Sequence, residues 1–394
     1  MVAINTLCVF GTRPEAIKMA PLIQCLSMSP AFHNKVCVTG QHKQMLESVL
    51  QQFNITPDFN FQAMESDQNL SSLTEKILKG LQGVFKLYKP DLVFIHGDTT
   101  STLTTALSAY YHHIPVAHVE AGLRTGNLIL PWPEEGNRKL TAVLSALHFA
   151  PTARARLNLL HEGIRDDVIY VTGNTVIDVL HDILIQLKTQ PKLIEQLQKQ
   201  FSFLTLSRKI ILVTGHRRES FGSGFERICQ ALANIAQRFP IVDIVYPVHL
   251  NPHVQIPVKR LLKNINNIHL IEPLDYLPFV YLMQSCYLIL TDSGGIQEEA
   301  PALGKPVLVM REKTERPEAI EAGTIKLVGT DVNAIVTGVE MLLTNTSLYH
   351  RMSQAKNPYG DGTASSQIVH IVIEHFSKCI KTKTKKRTTS TELS

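Results

Sequence analysis

Ten short apolar runs, separated by helix-type segments, constrain the fold of this 394-residue chain more than any other feature. The runs are rich in Val, Ile, Leu and Phe, which is typical of strands that are buried on both faces. Helices between successive strands predict parallel sheets that are covered on both sides. The predicted strands are Ile4 to Phe10, Val36 to Thr39, Leu92 to His96, Val116 to Val119, Leu147 to Ala150, Ile210 to Thr214, Ile241 to Tyr246, Ile268 to Ile271, Tyr287 to Thr291 and Val307 to Met310.

A repeated motif predicts two domains. The segments Leu7 to Glu15 and Ile211 to Glu219 both read as a strand, a glycine, one residue, an arginine, one residue and a glutamate. A chain of this length also suits two domains of about 150 to 200 residues each. We therefore predict an α/β protein with two doubly wound domains that face a central cleft, where the carboxyl ends of the strands hold the ligand.

The domain boundaries follow from a polar, helix-prone stretch at residues 178–206. We predict an N-terminal domain over residues 1–175 and a C-terminal domain over residues 205–362. An amphipathic helix at residues 365–380 joins the first domain. Because residues 381–394 are basic and lack apolar periodicity, we expect them to form a disordered tail.

Composition and charge exclude several classes of protein. Hydrophobic residues make up 44% of the chain and charged residues 19%, as in soluble globular proteins. No apolar run reaches the roughly 18 to 20 residues of a membrane span, and the N-terminus lacks a signal-peptide pattern, so we expect a cytoplasmic protein with no membrane partner. From Lys378 onward the sequence contains six basic residues and one acidic residue, and this excess accounts for the whole formal charge of +5. The neutral body gives no reason to expect nucleic-acid binding.

The segment from Leu290 to Val309 predicts a nucleotide diphosphate site. An apolar strand ends in Ser-Gly-Gly (293–295), and a helix-type run follows. Free N–H groups and the helix dipole at such a turn favour phosphate, and Glu298 or Glu299 can accept hydrogen bonds from ribose hydroxyls. The glycine spacing matches neither the dinucleotide motif nor the P-loop, which disfavours NAD and ATP chemistry. An ordinary strand-to-helix turn is the alternative.

Charged residues also follow the predicted strands of the first half. Arg13 and Lys18 flank the start of a helix after the first strand, as a cation pair for phosphate or as a solvated surface pair. Asp98 lies in a strand-to-helix loop, either in the site or as a helix N-cap. Glu120 follows the next strand, and the Ala-Gly after it argues against a capping role.

Two further segments carry candidate groups. Pro131 to Arg138 holds two adjacent carboxylates in a rigid loop that enters a helix, so we expect one of them to point inward; an ordinary charged helix N-terminus is the alternative. His216 ends the strand that opens the second half, whereas His249 is expected mainly to order its loop. No group of histidines, cysteines and carboxylates has metal-ligand spacing, so no metal is expected.

With these residues in view, the chain resembles the bacterial non-hydrolysing UDP-N-acetylglucosamine 2-epimerases over roughly residues 3 to 378. The motifs that carry the resemblance occur in the family's order along the chain. They are Gly-Thr-Arg-Pro-Glu (11–15), Gly-Gln-His-Lys-Gln-Met (40–45), His-Gly-Asp-Thr-Thr (96–100), Val-Glu-Ala-Gly-Leu-Arg-Thr (119–125), Pro-Trp-Pro-Glu-Glu (131–135), Val-Thr-Gly-His-Arg-Arg-Glu-Ser-Phe-Gly (213–222), Asp-Ser-Gly-Gly-Ile-Gln-Glu-Glu (292–299) and Thr-Glu-Arg-Pro-Glu (314–318).

The resemblance implies a fold like that of glycosyltransferase-B enzymes, with a Rossmann-like domain in each half and UDP bound by the second. It also implies a homodimer that converts UDP-GlcNAc to UDP-ManNAc without an added cofactor, for surface polysaccharide synthesis. The implied substrate-binding residues are Arg13, Lys18, Arg138, Ser293, Gly294, Gly295, Glu299 and Arg316, with Phe279 bordering the uracil. The implied catalytic residues around the sugar are Asp98, Glu120, Glu134 and His216.

Two departures from the family pattern limit what the resemblance implies. Leu274 occupies a position that is polar in close relatives, so a ligand contact there would use the backbone. Some family members bind a second UDP-GlcNAc as an activator, through residues like Gln41 and Gln44 and an arginine. Residues 64–68 contain no arginine, so the chain departs from the family's activator site at this point.

The chemistry of the implied reaction predicts elimination and re-addition of UDP. No carbonyl acidifies the C2 proton, whereas departure of UDP gives an oxocarbenium-like centre at C1 that does. The path needs stabilisation of the diphosphate, carboxylates for proton transfer and exclusion of water. The sequence leaves open which of the carboxylates is the acid and which the base. The alternatives are a hydrolysing epimerase that releases ManNAc, a sugar transferase, and a non-catalytic sensor of nucleotide sugars.

Overall fold

The structure, a computed structural model, describes residues 3–40, 43–61, 63, 69–204 and 207–391, with the side chains of 43–45 and 379–391 left out. Gln41, the side chain of Gln44 and residues 64–68 lie outside the described part, so the activator site stays a prediction. The chain divides into two units, residues 1–179 with 360–394 and residues 180–359.

The first unit is built on a parallel seven-stranded sheet. Its strand order is β3-β2-β1-β4-β5-β6-β7, so the direction of winding reverses between β1 and β4. Ligands of such sheets bind beyond the carboxyl ends of the strands at this reversal. The strands are β1 Ile4–Phe10, β2 Phe32–Val38, β3 Phe59–Asn60, β4 Leu92–His96, β5 Val116–Val119, β6 Leu147–Ala150 and β7 Ile169–Val171. The helices are α1 Arg13–Met28, α2 Lys43–Gln52, α3 Leu70–Leu87, α4 Thr100–Tyr111, α5 Glu134–Leu144, α6 Ala153–His161 and the start of α7 Thr175–Thr189.

The second unit has a parallel six-stranded sheet in the order β10-β9-β8-β11-β12-β13, and its winding reverses between β8 and β11. The strands are β8 Lys209–Thr214, β9 Val242–Pro247, β10 Ile268–Ile271, β11 Leu288–Thr291, β12 Val307–Val309 and β13 Ile325–Leu327. The helices are α8 Pro191–Gln200, α9 Ser223–Arg238, α10 Pro252–Leu262, α11 Tyr276–Ser285, α12 Gly294–Ala302, α13 Pro317–Glu321, α14 Val332–Thr344 and α15 Thr346–Ser353.

Helix α3 illustrates how the sequence produces these layers. Asn69 accepts a hydrogen bond from the Ser72 N–H and so caps the helix. Its apolar residues recur every three or four positions and lie in the core against strands β1 and β4. Full burial of each such side chain stabilises the fold by roughly 1.5 to 3 kcal/mol. The buried residues are Leu73, Ile77, Leu81, Val84 and Phe85.

Three features differ from the sequence predictions. The strands β3, β7 and β13 were not predicted, because runs of two or three residues carry no periodicity. The middle stretch forms α7 and α8, and residues 180–204 belong to the second unit. The last helix, α16, runs from Ala364 to Thr391 rather than ending at residue 380, since no glycine or proline interrupts it. Within the described residues, no helix is both long enough and apolar enough to span a bilayer.

Candidate active site

Glu120 lies just after strand β5, at the edge where the first sheet reverses its winding. Its backbone has a φ of 63°, a left-handed conformation that is uncommon for any residue except glycine. Its carboxylate forms an ion pair with the ammonium of Lys18 and accepts a hydrogen bond of 2.7 Å from the Asn174 amide. The ammonium that the sequence assigned to phosphate therefore contacts Glu120, while Arg13 is partly exposed at the start of α1.

His96 borders this ion pair from the end of strand β4. Its Nε2 lies 3.8 Å from the Glu120 carboxylate, and the ring is buried. The pKa of His96 is lowered to about 4, mainly by burial; Glu120 opposes this shift, and Lys18 adds to it. The imidazole is therefore neutral near pH 7 and leaves Lys18 as the cation that balances Glu120.

Asp98 follows strand β4 and is held by Arg138. The buried guanidinium of Arg138 forms an ion pair with the Asp98 carboxylate and donates a 3.0 Å hydrogen bond to Glu135. The backbone carbonyl of Asp98 also accepts a 2.9 Å hydrogen bond from Asn137. The alternative that Asp98 caps a helix is wrong, because Thr99 is the N-cap of α4 and accepts from the Thr102 N–H.

The two adjacent carboxylates at the start of α5 differ in their surroundings. Glu135 is fully buried and accepts hydrogen bonds from the N–H groups of Thr125 and Gly126, at 3.1 and 3.0 Å. Glu134 is partly exposed and accepts no hydrogen bond from the described residues. The inward carboxylate thus orders its loop, and the one left available for chemistry is Glu134.

A buried carboxylate that the sequence did not assign joins the strand-end loops of the first unit. Glu15 accepts from the N–H groups of Gly11 and Thr12, and from the hydroxyls of Thr99 and Thr102. Burial raises the pKa of Glu15, and these hydrogen bonds oppose the shift. The Thr-x-x-Glu capping box at residues 12–15 was the available signal. Glu15 thereby fixes the loop that carries Asp98 next to the start of α1.

In the second unit, helix α12 begins at the predicted Ser-Gly-Gly turn. Ser293 is the N-cap and makes no side-chain capping bond, so the first-turn N–H groups are available to an anion. A Cβ at Gly294 would lie 2.5 Å from Nη1 of Arg316, so a larger residue would have to displace the guanidinium or the helix start. The turn thus combines open N–H groups with a neighbouring cation, as a diphosphate requires.

The guanidinium of Arg316 is buried between two carboxylates. Its Nε donates to Glu298 and its Nη1 to Glu315, both at 2.6 Å. Burial alone raises the pKa of Glu315, but Arg316 and Arg311 outweigh it and hold the pKa well below its usual range. Glu298 accepts from Arg316, and the ribose contact of Glu298 or Glu299 stays a prediction.

Glu299 and its neighbours lie near helix α11. Glu299 is buried and accepts a 2.8 Å hydrogen bond from the hydroxyl of Tyr276, a partner that the sequence did not reveal. Phe279, on the same helix as Tyr276, is half-buried, as is Leu274 just before it. The Tyr276 side chain therefore contacts Glu299, a carboxylate that is expected to bind a ribose.

His216 lies after strand β8, where the second sheet reverses its winding. Its backbone N–H and that of Arg217 donate to the buried Asp292 carboxylate, at 2.7 and 2.8 Å. The His216 ring stacks on His249, with the ring centroids 5.4 Å apart. His249 Nδ1 accepts from the Asn251 N–H at 3.1 Å, which agrees with its predicted role in ordering the loop.

The structure therefore gathers the predicted residues of each half at one edge of its sheet. The sequence missed Asn174 and Tyr276, whose contacts join segments far apart in the chain and leave no local signal. Asp292 belongs to the motif at residues 292–299, and the sequence indicated no role for it. Gln41 and Gln44 cannot be placed among them.

Known proteins are similar to this chain over nearly all of its length. The family model described as UDP-N-acetylglucosamine 2-epimerase matches residues 24–373. The probable UDP-N-acetylglucosamine 2-epimerase of Ralstonia nicotianae is 59% identical over 95% of this chain and 100% of that protein. The UDP-N-acetylglucosamine 2-epimerase of Escherichia coli is 56% identical over 93% of this chain and 97% of its own length.

Solved structures agree with these matches. The crystal structure of UDP-GlcNAc 2-epimerase from Neisseria meningitidis bound to UDP-GlcNAc superposes with a TM-score of 0.91 at 49% identity, over 94% of this chain and 100% of that one. The enzyme from Methanocaldococcus jannaschii, in complex with UDP-GlcNAc and UDP, has a TM-score of 0.81 at 33% identity, with the same coverage of both chains.

Proposed function

Since the chain belongs to the UDP-N-acetylglucosamine 2-epimerase family and is an isomerase of UDP-GlcNAc, we propose that it inverts C2 by eliminating and re-adding UDP. The observation that carries this proposal is the pairing of Asp98 and Glu120 with buried cations at neighbouring strand ends of the first sheet. Two carboxylates that ion pairs fix at one edge of the sheet suit a reaction that removes one proton and supplies another.

In the first step, a carboxylate takes the C2 proton while the bond between C1 and the β-phosphate oxygen breaks. The electron pair of that bond leaves with UDP, and a double bond forms between C1 and C2 to give 2-acetamidoglucal. In the second step, the same phosphate oxygen attacks C1 and a carboxylic acid donates a proton to the opposite face of C2. One carboxylate gains a proton and the other loses one, so the cycle balances when both exchange with solvent.

We assign the proton transfers to the first unit. Asp98, Glu120 and Glu134 supply the acid and the base, and the ion pairs give Lys18 and Arg138 the role of holding two of these carboxylates. The partly exposed Glu134, which accepts no hydrogen bond from the described residues, is free to turn toward a sugar.

We assign UDP to the second unit, and the resemblance to the family supports Arg13 as a phosphate contact. The N–H groups at Ser293 to Gly295 and the guanidinium of Arg316 suit a diphosphate, and Glu299 suits the ribose. Phe279 is proposed to border the uracil, and His216 to assist the departure of the phosphate. Relatives crystallised with UDP-GlcNAc and UDP support this choice of ligand.

The proposal also includes a homodimer, a cytoplasmic location and no requirement for an added cofactor or metal. The resemblance to the bacterial family supports these three points, and the product would feed surface polysaccharide synthesis. Sedimentation equilibrium of the purified chain tests the dimer, and turnover after treatment with a chelator tests the independence from metals.

The reaction is tested by incubating the pure protein with UDP-GlcNAc in heavy water and identifying the products by NMR. We expect UDP-ManNAc that carries deuterium at C2, because the incoming proton comes from an exchangeable carboxylic acid. Free ManNAc with UDP as the main products would indicate a hydrolysing epimerase. UDP-ManNAc that retains its original C2 hydrogen would exclude elimination, and unchanged substrate would indicate a transferase or a sensor.

A further inference from the structure

Asp292 is a fully buried carboxylate at the end of strand β11, and one of its oxygens lacks a hydrogen-bond partner. Its Oδ2 accepts from the backbone N–H groups of His216 and Arg217. Its Oδ1 accepts no hydrogen bond from the described residues and lies 3.5 Å from Nδ1 of the His216 ring. Because a buried carboxylate oxygen without a partner is costly, the facing imidazole is the natural donor.

We infer that Asp292 is a positioning residue for His216, holding its backbone with Oδ2 and accepting the Nδ1–H with Oδ1, so that Nε2 faces the substrate diphosphate. The inference rests on the proposed function, which gives His216 the departing phosphate. An imidazolium fits both contacts, because it donates from Nδ1 to Asp292 and from Nε2 to a phosphate oxygen. Charge on both partners strengthens both hydrogen bonds.

The other groups around His216 oppose its protonation. Partial burial lowers the pKa of His216, Asp292 raises it, and the neighbouring Arg217 and His249 lower it. Glu315 lies 3.8 Å from the Arg217 guanidinium, and Tyr246 donates to the carbonyl of Gly215 next in the chain. Burial raises the pKa of Tyr246 well above its usual value, so that the hydroxyl stays neutral. Although the net effect lowers the pKa of His216, Asp292 is the neighbour that favours its charged form.

Asp292→Asn tests this role with little change in size. The amide oxygen can keep the two backbone hydrogen bonds, and the amide NH₂ then faces Nδ1 of His216. A donor at that position is incompatible with a proton on Nδ1, so the ring adopts the Nε2–H tautomer and resists charging. We expect turnover at pH 7 to fall at least about tenfold, with the KM for UDP-GlcNAc changed less than about threefold.

The imidazole is observed directly by long-range ¹H–¹⁵N NMR of the ligand-free protein. In the wild type we expect the neutral His216 ring to carry its proton on Nδ1, and in Asp292→Asn on Nε2. Loss of the negative neighbour lowers the pKa of His216, so its titration and the alkaline limb of turnover both move to lower pH. An Nε2–H tautomer in the wild type overturns the inference, even if the variant does not fold.

Asp243→Asn is a matched control in the same sheet. Asp243 is also a buried aspartate, and its carboxylate lies 3.5 Å from Nε2 of His269. No role in binding or catalysis is given to this pair. We expect Asp243→Asn to keep turnover within about twofold of the wild type and to leave the His216 tautomer unchanged.

A double-mutant cycle of His216 and Asp292 distinguishes a positioning role of Asp292 from a purely structural one. In a His216→Gln background, Asp292→Asn should reduce turnover less than about twofold further, because the group it positions is gone. An equal loss in both backgrounds would mean that Asp292 acts on structure alone and would overturn the inference. A tautomer change without loss of turnover would overturn its catalytic part. If the wild type does not incorporate deuterium at C2, the proposed function itself is refuted. The His216 tautomer still tests the contact between Asp292 and His216 in that case.

Discussion

The two sheet edges differ in which charge they present. At the edge of the first sheet, Asp98 and Glu120 are carboxylates whose buried partners, Arg138 and Lys18, are cations. At the edge of the second sheet, the central group is the Arg316 cation, and its buried partners are carboxylates. The first edge therefore offers groups that exchange protons, and the second offers donors that hold an anion.

At both edges a buried cation is paired with carboxylates, so the same kind of contact serves two tasks. A single buried charge is costly, and a close partner of opposite sign reduces that cost while it fixes the position of the side chain. The backbone differs as well, because the second edge opens into the N-terminus of α12. At the first edge, Glu120 instead takes a left-handed conformation after β5. Changes at the first edge, and at His216 of the second, should therefore affect turnover, whereas changes at the start of α12 should affect UDP binding.

The largest effect is expected from Glu120→Gln, which removes a carboxylate from the first edge. Turnover should fall at least about 10²-fold, because a general acid or base is lost. Affinity for UDP, measured by calorimetry, should change less than about threefold. Asp98→Asn and His216→Asn should reduce turnover to a similar extent.

Glu162→Gln is the control for that loss, since Glu162 is also paired with two cations of the first unit, Arg124 and Lys139. Its turnover should stay within about twofold of the wild type. Near-normal turnover in Glu120→Gln would refute the division of labour between the two edges.

The next effect concerns acid stability, because strands of the first sheet bury several histidines. Burial lowers the pKa of His148 to about 4. The unfolded chain therefore binds more protons between pH 6.5 and 4, and stability falls as the pH falls through this window. Between pH 7 and 5, the free energy of unfolding of His148→Gln should therefore fall by about 2 kcal/mol less than that of the wild type. Urea unfolding at both pH values measures the difference, and an unchanged loss would show that His148 does not contribute.

A smaller effect is expected from Gly294→Ala at the second edge. The added methyl would meet Nη1 of Arg316 at 2.5 Å and Oε1 of Glu315 at 3.0 Å, so either the guanidinium or the helix start must move. Affinity for UDP should fall about tenfold, in the range of a lost charge-assisted hydrogen bond. Binding of UDP as tight as in the wild type would place the diphosphate elsewhere.

The smallest effect is expected from Gly83→Ala. It is the same substitution as Gly294→Ala, at a position away from both sheet edges, and so serves as its control. Gly83 lies inside α3, and a Cβ there meets no atom within 4 Å. Alanine should stabilise the protein by roughly 0.5 to 1 kcal/mol through its higher helix propensity, with UDP affinity and turnover unchanged. A lower stability in urea unfolding would show that α3 does not tolerate the methyl group.

The sequence by itself determined the class of fold and the positions of most strands. The predicted bounds of β1, β4, β5, β6 and β10 agree with the structure to the residue. Apolar runs between helices carry this information locally, because burial on both faces of a parallel sheet demands them. The same reasoning located the strand-end loops with Asp98, Glu120 and His216, since parallel strands end at one edge.

Only the tertiary structure decided which charges meet at those edges. Lys18 and Glu120 are 102 residues apart, and nothing local to Lys18 indicates that it pairs with this carboxylate. The same holds for Asp292, whose neighbour His216 lies 76 residues earlier in the chain. Periodicity reports the burial of a segment, whereas the partner of a buried charge depends on how distant segments pack together.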